Sequence, residues 1–95
     1  MRWTLSRRAL TDLDSIWDYT AERWDQAQAE RYLRLLQRGV EALAADPLIG
    51  RTCDDIRSGY RKLNVGSHVI FYKTNSDAIH VIRILHARMD FGRHF

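Results

Sequence analysis

Basic side chains are concentrated in the second half of the chain, and they are the first candidates for chemistry. Residues 57–95 carry seven Arg and Lys against two Asp and Glu, whereas residues 1–56 carry eight against ten. The basic cluster of the second half includes Arg61, Lys62, Arg83, Arg88 and Arg93. Such a surface attracts nucleic acid and acidic proteins alike, so charge alone leaves both classes of partner open.

Arg83 stands out because it lies within an apolar run, Ile79 to Leu85. A charge in such surroundings normally needs a carboxylate or a bound ligand. Two interpretations follow. Either Arg83 belongs to a functional site, or it forms a structural ion pair, for which the candidate partners are Asp54, Asp55 and Asp90.

The histidines could serve as metal ligands or as acid and base groups; they are His68, His80, His86 and His94. Their spacing matches no metal-binding signature, and Cys53 is the only cysteine. His80 and His86 would lie roughly 20 Å apart along a strand, too far to share one ion. No glycine-rich phosphate loop or nucleophile motif is present, so we expect no metal and no cofactor.

One catalytic hypothesis stays open, namely RNA cleavage without a metal. A histidine could move the protons while basic side chains stabilise the charged phosphorane. The residues that could form such a site are Arg61, Lys62, His86 and Arg88.

Three predicted antiparallel strands position these residues. They cover Tyr60 to Val65, His68 to Thr74 and Ile79 to Leu85, and Gly66-Ser67 is a two-residue hairpin signal. Regular alternation in the last strand would place Ile79, Val81, Arg83 and Leu85 on one face, and His80, Ile82, Ile84 and His86 on the other.

Two amphipathic helices precede these strands. Ser6 is a plausible N-cap for the first helix, which runs to about Trp24, and Asp25 with Gln28 predicts the start of the second. A short N-terminal strand, Arg2 to Leu5, would lie at an edge. Gly39 suggests a close approach of the second helix to the first. The region 47–58 is predicted to be a loop, so the order is β-α-α-β-β-β, an α+β fold with a helix hairpin on a twisted antiparallel sheet.

Length and hydropathy bound the class of protein. Ninety-five residues with 45% hydrophobic content indicate one globular domain, 1–95. No apolar run approaches the roughly 20 residues of a membrane helix. Nothing near the N-terminus marks secretion and the lone Cys53 cannot form an internal disulfide, so we expect a cytoplasmic protein. One helix hairpin covers one face of a sheet. The apolar second face favours a protein partner, with cover by strand curvature and the C-terminal tail as the alternative.

The chain resembles the ParE toxins, the ParE branch of the RelE/ParE superfamily of bacterial type II toxin–antitoxin systems. The resemblance rests on a series of short motifs: Asp46-Pro47, Gly50-Arg51, Asp54-Asp55-Ile56-Arg57, Gly59-Tyr60-Arg61, Val65-Gly66-Ser67, Ile70-Phe71-Tyr72 and Ile82 to Asp90. It implies a RelE/ParE-like fold and a ParD-like antitoxin that wraps the toxin and covers its exposed groove. It also implies DNA gyrase as the target, with operator DNA reached only through the antitoxin.

The resemblance leaves three functions to compare. The first is a growth-inhibiting gyrase binder that is not an enzyme. The second is a ribosome-dependent mRNA endonuclease like RelE, but the chain ends in Phe95, whereas RelE-type enzymes carry an aromatic hydroxyl near the C-terminus. The third is a non-toxic module that still binds antitoxin.

For the first function, one set of residues is expected to carry both partner contact and toxicity: Arg61, Arg83, His86, Arg88, Arg93 and Phe95. Removing the last three residues is then expected to lower toxicity and to leave the fold intact.

Overall fold

The computed structural model describes every residue from Met1 to Phe95, and it places two helices on one face of a five-stranded sheet. The elements in chain order are β1 (Arg2–Leu5), α1 (Arg7–Arg23), α2 (Gln26–Ala45), β2 (Arg51–Thr52), β3 (Arg61–Val65), β4 (His68–Thr74), β5 (Ala78–His86) and a final 3₁₀ turn (Phe91–His94). This confirms the predicted α+β fold. The two-residue β2 lies where the sequence predicts only a loop.

Both helices begin at the predicted caps. The backbone N–H of Ala9 donates to the Ser6 hydroxyl at 3.0 Å, and that of Gln28 donates to the Asp25 carboxylate at 2.7 Å. Each bond satisfies one of the N–H groups that a helix start leaves without an intrahelical partner. Local sequence therefore fixes where the hairpin of α1 and α2 begins and turns.

The strand order in the sheet is β1-β5-β4-β3-β2. β3, β4 and β5 pair antiparallel as predicted, and the unpredicted β2 pairs antiparallel with β3, whereas β1 pairs parallel with β5. A parallel pair needs a long crossover connection, and the rest of the chain between the two strands supplies it. The tight turn between β3 and β4 has Gly66 at φ +56°, a conformation that side chains with a Cβ rarely adopt.

A β-bulge in β5 changes which side chains share a face. Tyr72 of β4 pairs with Val81, but its neighbour Phe71 pairs with Arg83, so Ile82 has no partner. The predicted regular alternation along β5 is therefore wrong beyond Val81, because one extra residue reverses the parity of all that follow it. As a result Ile84 joins the core under the helices, while Leu85 packs on the opposite face.

The main core lies between the helix hairpin and the sheet. Its fully buried members include Leu36, Leu43, Ile70 and Tyr72. A Cβ on Gly39 would lie 2.7 Å from a methyl group of Val65, so this glycine permits close approach of α2 to the sheet and not, as the sequence suggested, to α1.

The second face of the sheet is covered by the chain itself. Phe71, Leu85, Val69 and Cys53 form a smaller buried cluster there, and it is packed by Ile56, Tyr60, Phe91 and Phe95 from the 53–60 loop and the C-terminal segment. The expectation that this face needs a partner is therefore wrong, because the tail and the loop remove its apolar surface from water.

Candidate functional site

Arg61, the first of the predicted contact residues, is engaged within the protein. Its guanidinium donates to the Gly50 carbonyl at 2.6 Å, and its Nε is buried without a hydrogen-bond partner. These contacts hold the 46–50 loop against β3. Arg61 therefore has a structural role in this conformation, which leaves less of it available to a partner than the sequence suggested.

Arg83 forms a buried ion pair, but with none of the carboxylates that the sequence suggested. Its Nε and one terminal nitrogen each donate to Asp12 of α1 at 2.8 Å, and the same carboxylate accepts the backbone N–H of Ile84 at 2.9 Å. Pairing of β1 with β5 ends at Val81, so Asp12 supplies the hydrogen-bond acceptor that the Ile84 N–H would otherwise lack on that edge of β5. The bonds to Asp12 raise the pKa of Arg83, and burial opposes them more weakly. The interpretation as a structural pair is confirmed for Arg83.

The C-terminal residues divide into an exposed side chain and a packed ring. Arg93 is exposed and lies 3.5 Å from Asp90. Phe95 packs edge-on against Phe71 and Tyr60, with ring centroids 5.0 and 5.4 Å apart. The backbone carbonyl of His94, which lies between Arg93 and Phe95, accepts hydrogen bonds from Arg83 and Arg8. The tail is thus a structural cover, so we expect its removal to destabilise the fold, where the sequence alone predicted an intact fold.

His86 is the last residue of β5 and Arg88 lies in the turn that follows; both are exposed, and the structure brings His68 beside His86. His68 and His86 are directly opposite each other across β4 and β5, with ring centroids 5.3 Å apart. Tyr32 of α2 reaches this pair, with its hydroxyl 2.6 Å from His68 Nδ1 and accepting the Ser67 N–H at 3.0 Å. Sequence reasoning missed this cluster, because without the bulge in β5 His68 would face Leu85 instead of His86.

The four residues of the endonuclease hypothesis do not form one site. Val65, His68 and His86 are cross-strand neighbours, whereas Arg61 lies at the other end of β3, about 13 Å away at the rise of a β-strand. Lys62, next to Arg61, pairs with Phe71. Only His86 and Arg88 of the proposed set therefore lie together. No group of three or more His, Cys, Asp or Glu side chains is placed to hold a metal ion.

Stability is expected to fall in mild acid because of His68. Burial, and secondarily the charge of His86, lower the pKa of the His68 imidazole from 6.5 to about 4, with Asp12 acting weakly in the opposite sense. In the unfolded chain this imidazole therefore binds a proton near pH 6.5, whereas in the folded chain it does so only near pH 4. The stabilisation that the neutral His68 contributes is complete above pH 6.5 and is lost as the pH falls towards 4.

The expected loss is on the order of 2 kcal/mol, since one pKa unit corresponds to about 1.4 kcal/mol and partial exposure screens the charge. Urea unfolding at a series of pH values measures it. Carboxylates also titrate in part of this range, so the test is the difference from a His68→Gln variant, which should show a shallower pH dependence. Parallel curves for the two proteins would contradict the prediction.

An apolar groove lies on the helix side of the molecule, away from the histidines. Its volume is about 270 Å³, and it is lined mainly by side chains of α1, α2 and β1: Trp3, Leu5, Leu13, Trp17, Leu33 and Val40. The polar side chains that also line the groove are Glu30, Arg34 and Gln37. No helix is long and apolar enough to span a bilayer.

Comparison with known proteins gives a consistent result over nearly the whole chain. Residues 4–91 match the family model described as "ParE toxin of type II toxin-antitoxin system, parDE". The chain is 53% identical over 93 residues to Toxin ParE1 of Mycobacterium tuberculosis, covering 97% of this chain and 95% of the relative. It is 42% identical to Toxin ParE1 of Caulobacter vibrioides with the same coverage, and 31% identical to Toxin ParE of Escherichia coli, covering 93% and 86%.

A solved structure described as "Chromosomal ParDE TA system from P. aeruginosa" superimposes with a TM-score of 0.79. The match covers 90% of this chain and 95% of the other, at 22% sequence identity. At that identity the likeness establishes the fold.

Proposed function

The chain belongs to the ParE toxin family of type II toxin–antitoxin systems, and from this premise we propose that it arrests growth by binding DNA gyrase, without catalysing a reaction itself. Family membership over residues 4–91 is the observation that carries the proposal. Gyrase acts on the chromosome, so the toxin would act in the cytoplasm. It would do so as one domain that spans residues 1–95. The separation of Arg61 and Lys62 from His86 and Arg88 further supports a binding protein over an endonuclease.

The gyrase contact would involve the basic residues that remain exposed, chiefly His86, Arg88 and Arg93. Arg61 and Arg83 would support that surface indirectly, because their guanidinium groups are held by the protein. Exposed charges of one sign steer association and fix orientation, and their effect weakens as salt screens them. Inhibition should therefore be strongest at low ionic strength.

The experiment is a supercoiling assay with purified gyrase and the intact chain, run beside a translating ribosome extract. We expect inhibition of supercoiling and no mRNA cleavage. An Arg88→Ala variant should inhibit less, whereas Arg38→Ala, an exposed arginine on α2, serves as the matched control. Clean cleavage of mRNA with unaffected gyrase would replace this proposal with the endonuclease.

The antitoxin partner would be a ParD-like protein, with one of its segments in the apolar groove between the helix hairpin and β1. The groove supports this placement, since eight of its eleven lining residues are hydrophobic and such a groove can receive the apolar face of a partner's helix. Operator DNA would be reached only through the antitoxin. A bound partner also stabilises the native state by mass action, so the toxin should melt at a higher temperature in the complex.

Replacing Trp3 with glutamate should weaken antitoxin binding at least about tenfold, because a large aromatic contact in an interface often contributes more than about 1.4 kcal/mol. Trp3 is 38% exposed at the groove. Calorimetric titration with the antitoxin encoded beside the gene measures the change. Leu48→Glu, on a loop outside the groove and 73% exposed, is the control. Equal affinity of the Trp3 variant and the intact toxin would place the antitoxin elsewhere.

A further inference from the structure

The hydrogen bonds around His68 and His86 determine which ring nitrogens remain available. The Tyr32 hydroxyl accepts the Ser67 N–H and lies 2.6 Å from His68 Nδ1, so that nitrogen is already hydrogen-bonded. The backbone N–H of Arg88 donates to His86 Nδ1 at 3.1 Å. In the neutral His86 imidazole the proton is therefore on Nε2, and on both rings Nδ1 is already occupied.

This arrangement determines what the two rings can bind. A metal-ligating histidine usually donates its second ring N–H to an oxygen, whereas His86 Nδ1 accepts a backbone N–H. The Nε2–H of His86, beside the second imidazole and near the guanidinium of Arg88, suits an oxyanion.

The surroundings of the pair also favour an anion. Two adjoining hollows of about 320 and 300 Å³ share Tyr19, Thr20, His68 and His86, and a third hollow joins His86 to Ser67 and Arg88. We refer to these three hollows together as the histidine cleft. Arg23 of α1 also lines it. Asp12 is the one acidic residue on its walls, and Arg83 already neutralises that carboxylate.

Aromatic rings stand beside these donors. Trp24, at the end of α1, lines the cleft and is 68% exposed, and Tyr19 of the same helix is 63% exposed. An exposed aromatic ring next to phosphate-binding groups is the arrangement on which nucleobases stack. Each hollow also reaches the lower end of the size range of small-ligand pockets, roughly 300–1,000 Å³.

We propose that the histidine cleft binds a nucleotide, with its phosphate on His68, His86 and Arg88 and its base against Trp24. The site is separate from the apolar groove assigned to the antitoxin. It also does not depend on gyrase being the target, because it is defined by the donors and rings of the cleft. Its ligand is recognised by two features together, a phosphate oxyanion and a planar base.

Calorimetric titration of the full chain with adenosine 5′-monophosphate tests the proposal. Three comparison ligands each lack a part of the nucleotide. Adenosine lacks the phosphate, ribose 5-phosphate lacks the base, and inorganic phosphate lacks both the sugar and the base. We expect the nucleotide to bind more tightly than all three. Equal binding of inorganic phosphate and the nucleotide, or of adenosine and the nucleotide, would overturn the proposal, as would the absence of binding by the nucleotide.

Variants then locate the site. His86→Ala should weaken nucleotide binding about tenfold, which corresponds to about 1.4 kcal/mol. Trp24→Ala should weaken the nucleotide but leave ribose 5-phosphate unchanged. Both side chains are exposed, so the fold should survive, and circular dichroism checks that it does. Arg38→Ala, outside the cleft, is the matched control. Unchanged affinity in the His86 variant would overturn the assignment.

Discussion

Replacing Asp12 with alanine is expected to lower the free energy of unfolding by about 3–5 kcal/mol. The Asp12 carboxylate accepts two bonds from Arg83 and one from the Ile84 backbone N–H. Arg83 is only 8% exposed, so the variant would leave an uncompensated charge and an unpaired N–H in the protein. A domain of this size is typically stable by about 5–15 kcal/mol, so the loss would be a large share of the total.

Equilibrium urea denaturation measures this loss. Asp14→Ala is the matched control, because Asp14 is exposed on the same helix two residues further on and should change stability little. The double variant Asp12→Ala with Arg83→Met should recover part of the loss, since it removes the buried charge as well as its partner. A decrease below about 1 kcal/mol in the single variant would show that water reaches Arg83.

Deleting Arg93–Phe95 is expected to cost about 3 kcal/mol or more, the size of the effect of removing a large aromatic ring from a core. The deletion exposes Phe71 on the second face of the sheet, because Phe95 packs against it. It also removes the His94 carbonyl, to which Arg83 donates at 2.6 Å. A truncated toxin should therefore melt well below the intact chain.

This expectation changes how a loss of toxicity after truncation would be explained. Arg93→Ala removes the tail's exposed charge and keeps the ring of Phe95, so it should leave the melting temperature unchanged. Phe95→Ala should reproduce most of the destabilisation. If the truncated chain melted at the temperature of the intact one, the tail would be a surface for partners and not a cover for the sheet. Thermal unfolding of the three proteins, followed by gyrase inhibition below their melting temperatures, separates the two roles.

Local features of the sequence determined the helices, the hairpin and the family. Ser6 and Asp25 cap the helices because a cap needs only a side-chain oxygen two or three residues from an N–H. Gly66 turns β3 into β4 because its φ is positive. These signals act over a few residues, so they can be read from the chain in order. The motifs from Asp46 to Asp90 likewise indicate the ParE branch by themselves, since each is a short run of neighbouring residues.

Long-range packing decided the candidate sites. Arg83 is recognisable from the sequence as a charge in an apolar strand, but its partner Asp12 is 71 residues away and lies on a helix whose placement only the fold supplies. Sequence reasoning instead proposed acidic residues nearer to Arg83 in the chain. It also treated Phe95 as a contact residue, because nothing local shows that its ring packs on Phe71.

The histidine pair depends on a single bulge. Ile82 has no partner in β4, and this one-residue shift brings His86 opposite His68 and turns Leu85 to the other face of the sheet. The bulge occurs where β1 ends and Ser6 bonds to the carbonyls of Val81 and Ile82. No residue of β5 indicates the bulge by itself, because strand register is set by the pairing of whole strands. A slip of one position exchanges the two faces of the strand.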